Sequence, residues 1–149
     1  MRSLRNKRIA NGKRPLTRSE IMGRVKARDS EAEVALRSAL HARGIRFRLQ
    51  RLVQGIRADI VFPGARVVVF VDGCFWHGCP IHASLPRSNQ SYWAPKLARN
   101  RERDSEQSAL LAASGWTVVR VWEHDCLPPH PTVVENVANL VRQGRQGMQ

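Results

Sequence analysis

The fold of this chain is decided by the stretch ADIVFPGARVVVFVD, residues 58–72. Two β-branched and mostly apolar runs, residues 58–62 and 67–71, flank a Pro-Gly dipeptide that is typical of a tight turn. This pattern predicts an antiparallel hairpin. The second run is apolar without interruption, which favours a central strand that is covered on both faces.

A helix is predicted before this hairpin. Ser30 and Glu33 have the spacing of a capping box, and the Ala and Leu side chains that follow recur at helical spacing as far as Gly44. Residues 45–49 then alternate apolar and basic side chains, which predicts a first strand.

Three further elements are predicted after the hairpin. Residues 72–95 are irregular, rich in Gly, Pro, Cys and His, and long enough to indicate a functional loop. A helix over residues 95–114 and a strand over 116–122 follow, and a capping box at 132–135 opens a last helix that ends near Gly144. This order predicts an α/β fold in which a mixed sheet is flanked by helices.

The positive charge is concentrated in an N-terminal arm. The 149 residues carry a formal net charge of +13, and residues 1–28, with ten Lys and Arg and one acid, contribute +9 of it. We predict a flexible arm over residues 1–18, a single domain over 19–144 and a tail over 145–149. A localised polycationic arm most often binds an anionic polymer, with nucleic acid the leading candidate; a solvated tail without a partner is the alternative.

The composition excludes several classes of protein. No apolar run approaches the roughly 20 residues of a membrane span. The charged N-terminus lacks the apolar stretch of a secretory signal. Three cysteines, an odd number, argue against a disulfide framework. We therefore expect a protein of a reducing compartment that has no membrane partner.

Asp59 is out of place in the apolar run of residues 58–62, because an unpaired carboxylate is costly to bury. It is either a strand-end residue that faces solvent or a metal-binding carboxylate. A hairpin that turns at residues 63–64 brings Asp59 toward the same sheet edge as Asp72, which follows the second strand. Such a pair suits Mg²⁺, which takes one or two carboxylates together with waters and phosphate oxygens.

The loop after the hairpin is rich in metal-binding side chains. Cys74, Cys79 and His82 are close in sequence, and His124 and Cys126 follow the last predicted strand. A structural zinc site takes four N or S ligands, commonly two or three from one loop and the rest from a distant element. We predict a zinc site formed by Cys74, Cys79, His82 and His124, with Cys126 as the reserve fourth ligand. Free cysteines packed as small hydrophobic residues are the alternative.

Four other residues of this region have two interpretations each. His77 is suited to deprotonating a water, since the pKa of histidine is near neutrality, or it replaces His82 as a zinc ligand. Phe75, Trp76 and Trp93 lie in loop-like sequence, where aromatic residues either fill the core or stack on and wedge between bases.

Several stretches together resemble the very short patch repair (Vsr) DNA mismatch endonucleases, over about residues 15–127. They are VDGCFWH at 71–77, YW at 92–93, NRERD at 100–104, GWTVVRVWE at 115–123, and in the arm RSEIM at 18–22 and ARD at 27–29. The resemblance implies a restriction-endonuclease-like fold of the PD-(D/E)XK type with a zinc-stabilised loop. It also implies Mg²⁺-dependent nicking on the 5′ side of the thymine in a T:G mismatch, which leaves a 3′-hydroxyl and a 5′-phosphate.

The resemblance also implies roles for single residues in catalysis. The family's magnesium-binding strand aspartate matches Asp59, its catalytic histidine matches His77, and a helix glutamate of its active site matches Glu33. An acid that supports the site matches Asp104. The alternatives are that Glu33 only completes its capping box and that Asp104 is a helix-surface charge.

Further residues match DNA contacts of the family. The aromatic wedge that enters the DNA near the mismatch matches Phe75, Trp76 and Trp93, and an apolar residue that inserts from the other groove matches Met22. We expect phosphate contacts from the arm residues Arg14, Arg18, Arg24 and Lys26.

The chain departs from the family pattern in three places. A Thr-His pair is Val71-Asp72 here: the Val71 carbonyl still offers the family's main-chain magnesium ligand, and Asp72 either binds Mg²⁺ directly or only supports the catalytic histidine. A histidine-rich stretch is shortened to Gly78, so that His82 is the nearest replacement for the zinc histidine. The cysteine that follows Trp-Glu in the family is His124, which also binds zinc.

The expected partner is double-stranded DNA with a T:G mismatch, bound by a cytoplasmic, nucleoid-associated monomer of bacterial type. Mismatch-repair proteins are candidates for further partners. Two other interpretations are a restriction-type nuclease of the same fold without mismatch preference, and a zinc-stabilised nucleic-acid-binding module without catalysis.

Overall fold

The computed structural model describes residues 30–77, 79–81 and 89–147. Within these ranges the elements are α1 (Glu31–Ala42), β1 (Arg48–Val53), β2 (Ile56–Phe62), β3 (Val67–Asp72), α2 (Gln90–Ala113), β4 (Thr117–Trp122) and α3 (Pro131–Gly147). The predicted order of helix, three strands, helix, strand and helix is confirmed. The predicted arm at residues 1–18 lies outside the described residues.

The strands of the described ranges form one mixed sheet in the order β1-β2-β3-β4. β2 is antiparallel to both β1 and β3, and a 3-10 turn at Pro63–Ala65 joins β2 to β3. β3 and β4 are parallel, so α2 forms the crossover between them. The predicted hairpin is therefore confirmed, and it forms the centre of the sheet.

Hydrophobic side chains cover the central strands β2 and β3 on both faces. On one face, α1 and α3 pack against alternate residues of β2 and β3. On the other face, Leu111 of α2 packs with Val61, Val68 and Phe70. Val68 and its neighbour Val69 are both fully buried, which confirms that β3 is covered on both sides.

The first strand lies further along the chain than its predicted position at residues 45–49. β1 begins at Arg48 because Ile45 is used to close the end of α1: its N–H donates to the carbonyl of Leu40, and its side chain is buried in the core. The strand then continues to Val53, which pairs with Ile56. The two residues between them both have positive φ, as a two-residue hairpin loop requires.

The prediction that α2 begins at Pro95 was wrong. The helix begins at Gln90 and contains Pro95, although proline removes a hydrogen bond from a helix interior. The added turn buries Trp93 against Phe75 and Leu97, and this packing outweighs the local preference of proline. Trp93, which we expected in loop-like sequence, is therefore a helical residue.

Both ends of α3 differ from the prediction. Thr132 lies inside the helix, and its N–H donates to Nδ1 of His130, at 3.2 Å, so His130 takes the capping role that we assigned to Thr132. The helix continues past Gly144 to Gly147. Gly144 lies against the turn after β2, where a Cβ would overlap the carbonyl oxygen of Ala65. This glycine therefore serves close packing and does not end the helix.

Among the described residues, none of the helices combines the length and apolar character that crossing a bilayer requires.

Candidate active site

A cleft of about 510 Å³ opens at the sheet edge where β3 ends. It is lined by all five side chains that we predicted to be catalytic, although they come from five separate elements or loops: Glu33, Asp59, Asp72, His77 and Asp104. The fold thus brings together acids and a histidine that are up to about seventy residues apart in the chain. Their convergence identifies the cleft as the candidate active site.

Asp59 lies on β2 and turns a half-buried carboxylate toward the cleft. Its Oδ2 accepts a hydrogen bond of 2.8 Å from the N–H of Val71, near the end of the neighbouring strand. Burial raises the pKa of Asp59 above its ordinary value, while this hydrogen bond lowers it. The carboxylate is therefore held in place by the sheet itself, beside the main chain of Val71.

Gln50 is a site residue that the sequence analysis missed. Its Nε2 donates to Oε2 of Glu33 at 3.3 Å and to Oδ1 of Asp59 at 3.4 Å. Its backbone has a φ of +51°, and the pairing of β1 with β2 is interrupted at this residue. Nothing in its residue type signals this role, because the left-handed backbone that directs the side chain depends on the assembled sheet.

Glu33 is the third residue of α1 and lies beside both the N-cap of that helix and the cleft. Its N–H donates to the Ser30 hydroxyl at 3.2 Å, which confirms Ser30 as the N-cap of α1. Its carboxylate is buried, lines the cleft and accepts the hydrogen bond from Gln50. The first turn of α1 therefore places the Glu33 carboxylate near Asp59, and the Gln50 amide bridges the two.

His77 lies between two acids. Its Nδ1 is hydrogen-bonded to Oδ2 of Asp104 and lies 3.8 Å from Oδ1 of Asp72. A carboxylate accepts, so the bond to Asp104 requires the proton on Nδ1 and leaves Nε2 free to accept a proton. Asp104 is thus a partner of the histidine, and the alternative of a plain helix-surface charge is wrong.

Arg120 on β4 is the second residue that the sequence analysis missed. Its Nη1 donates to both oxygens of Asp72, at 3.0 and 3.3 Å, and its Nη2 donates to the main-chain oxygen of Asp104 at 3.2 Å. Its Nε donates to the Ser108 hydroxyl at 2.7 Å, and the guanidinium lies 4.3 Å from the centre of the Phe70 ring. A single Arg in an otherwise apolar strand is a signal of the same kind as Asp59, and it could have been used.

The carboxylate of Asp72 lies beside His77 and forms an ion pair with Arg120. Burial raises the pKa of Asp72 above its ordinary value, while the nearby His77 and Arg120 lower it. One ligand atom from each of Asp72, His77 and Asp104 lies within 4.8 Å of the others, an arrangement that could hold a metal ion. In this structure, however, the Asp72 oxygens face Arg120.

The cleft also has the chemistry that a hard cation needs. Magnesium binds through one or two carboxylates and keeps sites for water and phosphate oxygens. The carboxylate of Asp59 and the main chain of Val71 are adjacent on the wall of an open cleft, which satisfies this requirement. These two residues of our predicted magnesium set therefore fit the ion.

Cys74, Cys79 and His124 form a second cluster, which joins the loop after β3 to the turn after β4. The His124 Nδ1 lies 3.2 Å from Sγ of Cys74 and 3.7 Å from Sγ of Cys79, and the three ligand atoms lie within 4.8 Å of one another. On the far side of the ring, Nε2 lies 3.5 Å from Oδ1 of Asp125. Two sulfurs and an imidazole that is oriented by a carboxylate are a donor set that suits zinc.

The fourth predicted zinc ligand is not among the residues of this cluster. His82 lies outside the described residues. Cys126, the reserve ligand, is fully buried in the core between the sheet and helices α1 and α3, and burial raises its pKa to about 11. Burial also raises the pKa of Cys74, to about 12.

Phe75, Trp76 and Trp93 form an aromatic cluster beside the cleft. Their ring centres are 5.2 to 5.5 Å apart in edge-to-face geometry. Phe75 and Trp93 are buried, whereas Trp76 is half-buried and lines the cleft. The amide of Asn100 donates to the Trp76 main-chain oxygen at 3.2 Å and so fixes the loop on α2.

The predicted DNA contacts of the arm cannot be located in this fold. Met22, Arg14, Arg18, Arg24 and Lys26 all lie outside the described residues. Three arginines of the body, Arg57, Arg103 and Arg120, line the cleft itself.

Comparison with known proteins identifies related enzymes. The family model described as DNA mismatch endonuclease Vsr matches residues 12–82. The chain is 45% identical over 120 residues to the type II nicking enzyme V.NaeI of Lentzea aerocolonigenes, covering 77% of this chain and 72% of that enzyme. It is 48% identical over 111 residues to the type II nicking enzyme V.XorIIP of Xanthomonas oryzae, covering 73% of this chain and 81% of that enzyme.

Two further similarities extend this comparison. The DNA mismatch endonuclease Vsr of Escherichia coli is 36% identical over 108 residues, covering 72% of this chain and 69% of that enzyme. Among solved structures, the catalytic domain of the homing endonuclease I-Bth0305I superposes with a TM-score of 0.55 and 14% identity, covering 78% of this chain and 98% of that domain. At that identity the likeness concerns the fold alone, and it agrees with the expected restriction-endonuclease-like architecture.

Proposed function

Because the chain belongs to the Vsr family and is a DNA endonuclease, we propose that it nicks one strand of DNA on the 5′ side of the thymine in a T:G mismatch, with Mg²⁺ as cofactor. The observation that carries this proposal is the convergence of Glu33, Asp59, Asp72, His77 and Asp104 in one cleft. A histidine that is oriented by a carboxylate, near a half-buried carboxylate suited to metal binding, is suited to phosphodiester hydrolysis.

His77 is the proposed general base. The hydrogen bond from Nδ1 to Asp104 directs Nε2 away from that carboxylate, so Nε2 takes the proton from the attacking water. Asp104 also stabilises the imidazolium that results. This division of roles accounts for the pairing of an acid on helix α2 with the histidine of the loop.

Asp59 and the Val71 carbonyl are the proposed magnesium ligands. When bound, Mg²⁺ supplies positive charge that polarises the scissile phosphate and stabilises the leaving oxyanion. The Val71 N–H and the Gln50 amide hold the Asp59 carboxylate in a fixed orientation before the ion binds. Glu33 shares the Gln50 amide and adds negative charge to the same wall of the cleft.

Cys74, Cys79 and His124 are proposed to hold a structural zinc ion, with His82 as the fourth ligand. The chemistry that zinc supplies there is cross-linking of the loop to the end of β4. The N–H of Cys74 also donates to Oε1 of Glu123 at 3.0 Å, which joins the same two segments. His77 and Trp76, which lie between the two cysteines, are thereby fixed at the cleft.

Recognition of the mismatch is assigned to aromatic side chains and the arm. We propose that the cluster of Phe75, Trp76 and Trp93 wedges between bases beside the mismatch, with half-buried Trp76 entering first and the buried Phe75 and Trp93 packed behind it. Unstacking costs less there than in a paired duplex. Met22 inserts from the opposite groove, and the basic arm residues bind phosphates. Such an enzyme acts as a monomer on chromosomal DNA, which favours a cytoplasmic, nucleoid-associated location.

The experiment that tests this function is a nicking assay with purified protein, Mg²⁺ and labelled duplexes that carry T:G mismatches in a range of flanking sequences. The expected result is a single-strand nick that requires Mg²⁺ and is lost in His77→Ala and Asp59→Asn, while both variants still bind the duplex. No nick in any sequence context would refute the proposal.

A second candidate function is nicking of fully paired DNA. It is favoured by the names of the first two relatives, which are type II nicking enzymes. A duplex of the same sequence with T:A in place of T:G separates the two functions. A nucleic-acid-binding module without catalysis is set aside, because the named relatives of this chain are endonucleases.

A further inference from the structure

Arg120 joins three elements at the point where His77 meets its acids. The guanidinium extends from β4, contacts Asp72 at the end of β3, and contacts both Asp104 and Ser108 on one face of α2. The carbonyl of Asp104 and the hydroxyl of Ser108 are one helical turn apart, so the arginine holds that turn at two points. No other described residue makes hydrogen bonds to both Asp72 and helix α2.

The guanidinium of Arg120 is held by partners on several sides. Two neutral groups of α2 accept hydrogen bonds from Nε and Nη2, and the Phe70 ring supports the guanidinium from below. Asp72 then occupies Nη1 with both of its oxygens. All three nitrogens of the guanidinium therefore donate hydrogen bonds, as expected of an arginine that fixes the positions of its neighbours.

The position of Asp104 depends on this arrangement. The main-chain oxygen of Asp104 is bound by Nη2, while its carboxylate is bound to His77. Fixing the backbone at that residue therefore fixes the direction from which the carboxylate reaches the imidazole. Asp72 contributes the negative charge that keeps the guanidinium in place, and its side chain is only about a tenth exposed.

We propose that Arg120 is a positioning residue for His77: it ties Asp72 to helix α2 so that Asp104 meets the histidine, and Asp72 anchors this tie and is not a magnesium ligand. The proposal rests on the proposed nuclease function of the cleft. Asp59 and Asp72 then differ in role, because Asp59 lies beside the Val71 main chain and Asp72 faces the arginine.

The first test measures metal binding without any cleavage. Binding of Mn²⁺ to the full chain is followed by electron paramagnetic resonance for the wild type, Asp59→Asn and Asp72→Asn. The expected result is a loss of Mn²⁺ affinity of about tenfold or more in Asp59→Asn and unchanged affinity in Asp72→Asn. Equal losses in the two variants would overturn the proposal, since Asp72 would then be a ligand.

The second test observes the histidine directly. Nitrogen-15 NMR of the metal-free protein reports whether the proton of His77 resides on Nδ1. We expect wild-type protein to show that tautomer, and Arg120→Lys and Asp72→Asn to lose it. The single ammonium of lysine cannot reach the partners that Arg120 binds through three separate nitrogens. Arg142→Lys, an exposed arginine on α3, is the matched control. An unchanged His77 signal in both cleft variants would contradict the proposal.

The third test separates positioning from general stability. In nicking assays, Arg120→Lys is expected to lower kcat by about tenfold to a hundredfold at unchanged KM for DNA. A rise in KM with unchanged kcat would overturn the assigned role. If the wild type nicks nothing, the proposed function fails, yet the Mn²⁺ and NMR measurements still decide the role of Arg120. If Arg120→Lys does not fold, Asp72→Asn decides it.

Discussion

At the scale of single residues, several acids lie close together in the cleft. Glu33, Asp59, Asp72 and Asp104 line it together, and burial raises the pKa of both Asp59 and Asp72. Such a cluster persists because each acid has a specific donor: the Gln50 amide, the Val71 N–H, the Arg120 guanidinium or the His77 ring. The acids therefore differ in role according to their donors.

Replacement of Asp104 tests the pairing with His77. Asp104→Asn preserves shape, but an amide that donates to Nδ1 favours the other tautomer and removes the charge that stabilises the imidazolium. We expect single-turnover nicking to slow by about a hundredfold to ten-thousandfold, with DNA affinity unchanged. The matched control is Glu102→Gln, which changes an exposed residue of the same helix. Asn100 is avoided as a control because its side chain fixes the main chain of Trp76.

Nicking by Asp104→Asn at the rate of the Glu102→Gln control would contradict the role of the acid in catalysis.

The backbone at Gln50 gives a prediction about stability. Its φ of +51° is unfavourable for any residue with a Cβ, by about 1 kcal/mol. Gln50→Ala and Gln50→Gly both remove the amide that joins Glu33 to Asp59, but only glycine relieves the strain. We expect the glycine variant to have a free energy of unfolding higher than the alanine variant by about 1 kcal/mol in urea titrations. Equal stability would show that the residue is not strained.

Sequence reasoning at this scale found those cleft residues whose type is unusual for their surroundings. Asp59 in an apolar strand and His77 in a cysteine-rich loop are conspicuous, because neither is easily explained by packing alone. Gln50 is inconspicuous, and its role arises from a backbone conformation that only the complete sheet imposes. Arg120 was equally conspicuous in β4 and could have been predicted by the reasoning that selected Asp59.

At the scale of elements, periodicity located the helices and strands, but tertiary packing decided their ends. α2 continues through Pro95 because burial of Trp93 stabilises the extra turn. β1 starts late because Ile45 closes the end of α1, and α3 passes Gly144 because that glycine touches the turn after β2. None of these contacts is local in sequence, so local rules could not predict them.

Gly144 provides a direct test of helix packing. A Cβ at this position would overlap the carbonyl of Ala65, so Gly144→Ala must displace the helix or the turn. We expect a loss of about 1 to 3 kcal/mol in the free energy of unfolding, measured by chemical denaturation. Gly147→Ala, with nothing within 4 Å of the added methyl group, is the matched control and should change stability by less than about 0.5 kcal/mol. Equal effects of the two substitutions would contradict the described packing.

Zinc content tests the proposed metal site of the loop after β3. We expect purified protein to contain about one zinc ion per chain, and Cys79→Ser and His82→Ala to lower that content in elemental analysis. Cys126→Ala, which removes a thiol from the core, should keep its zinc although it lowers the melting temperature. Zinc retained in Cys79→Ser would refute the site, and zinc lost only in Cys126→Ala would reassign the fourth ligand.

At the scale of the whole molecule, the fold sets a polar cleft at one edge of a sheet whose central strands are covered on both faces. β2 and β3 carry Asp59 and Asp72 to that edge, and α2 and the loop bring Asp104 and His77 over it. The +13 net charge is divided between this body and an arm of +9 at residues 1–28. We infer that the arm supplies most of the affinity for phosphates and that the cleft supplies the chemistry.

The central claim is that this cleft cuts DNA at a mismatched thymine. The most direct measurement is the ratio of single-turnover nicking rates, with Mg²⁺, for two duplexes that are identical except for T:G or T:A at one position. The account predicts a nick only 5′ of the mismatched thymine, with a 3′-hydroxyl end and little or no cutting of the paired duplex. Equal nicking of both duplexes would contradict mismatch recognition, and no nicking of either would contradict the assignment of the cleft.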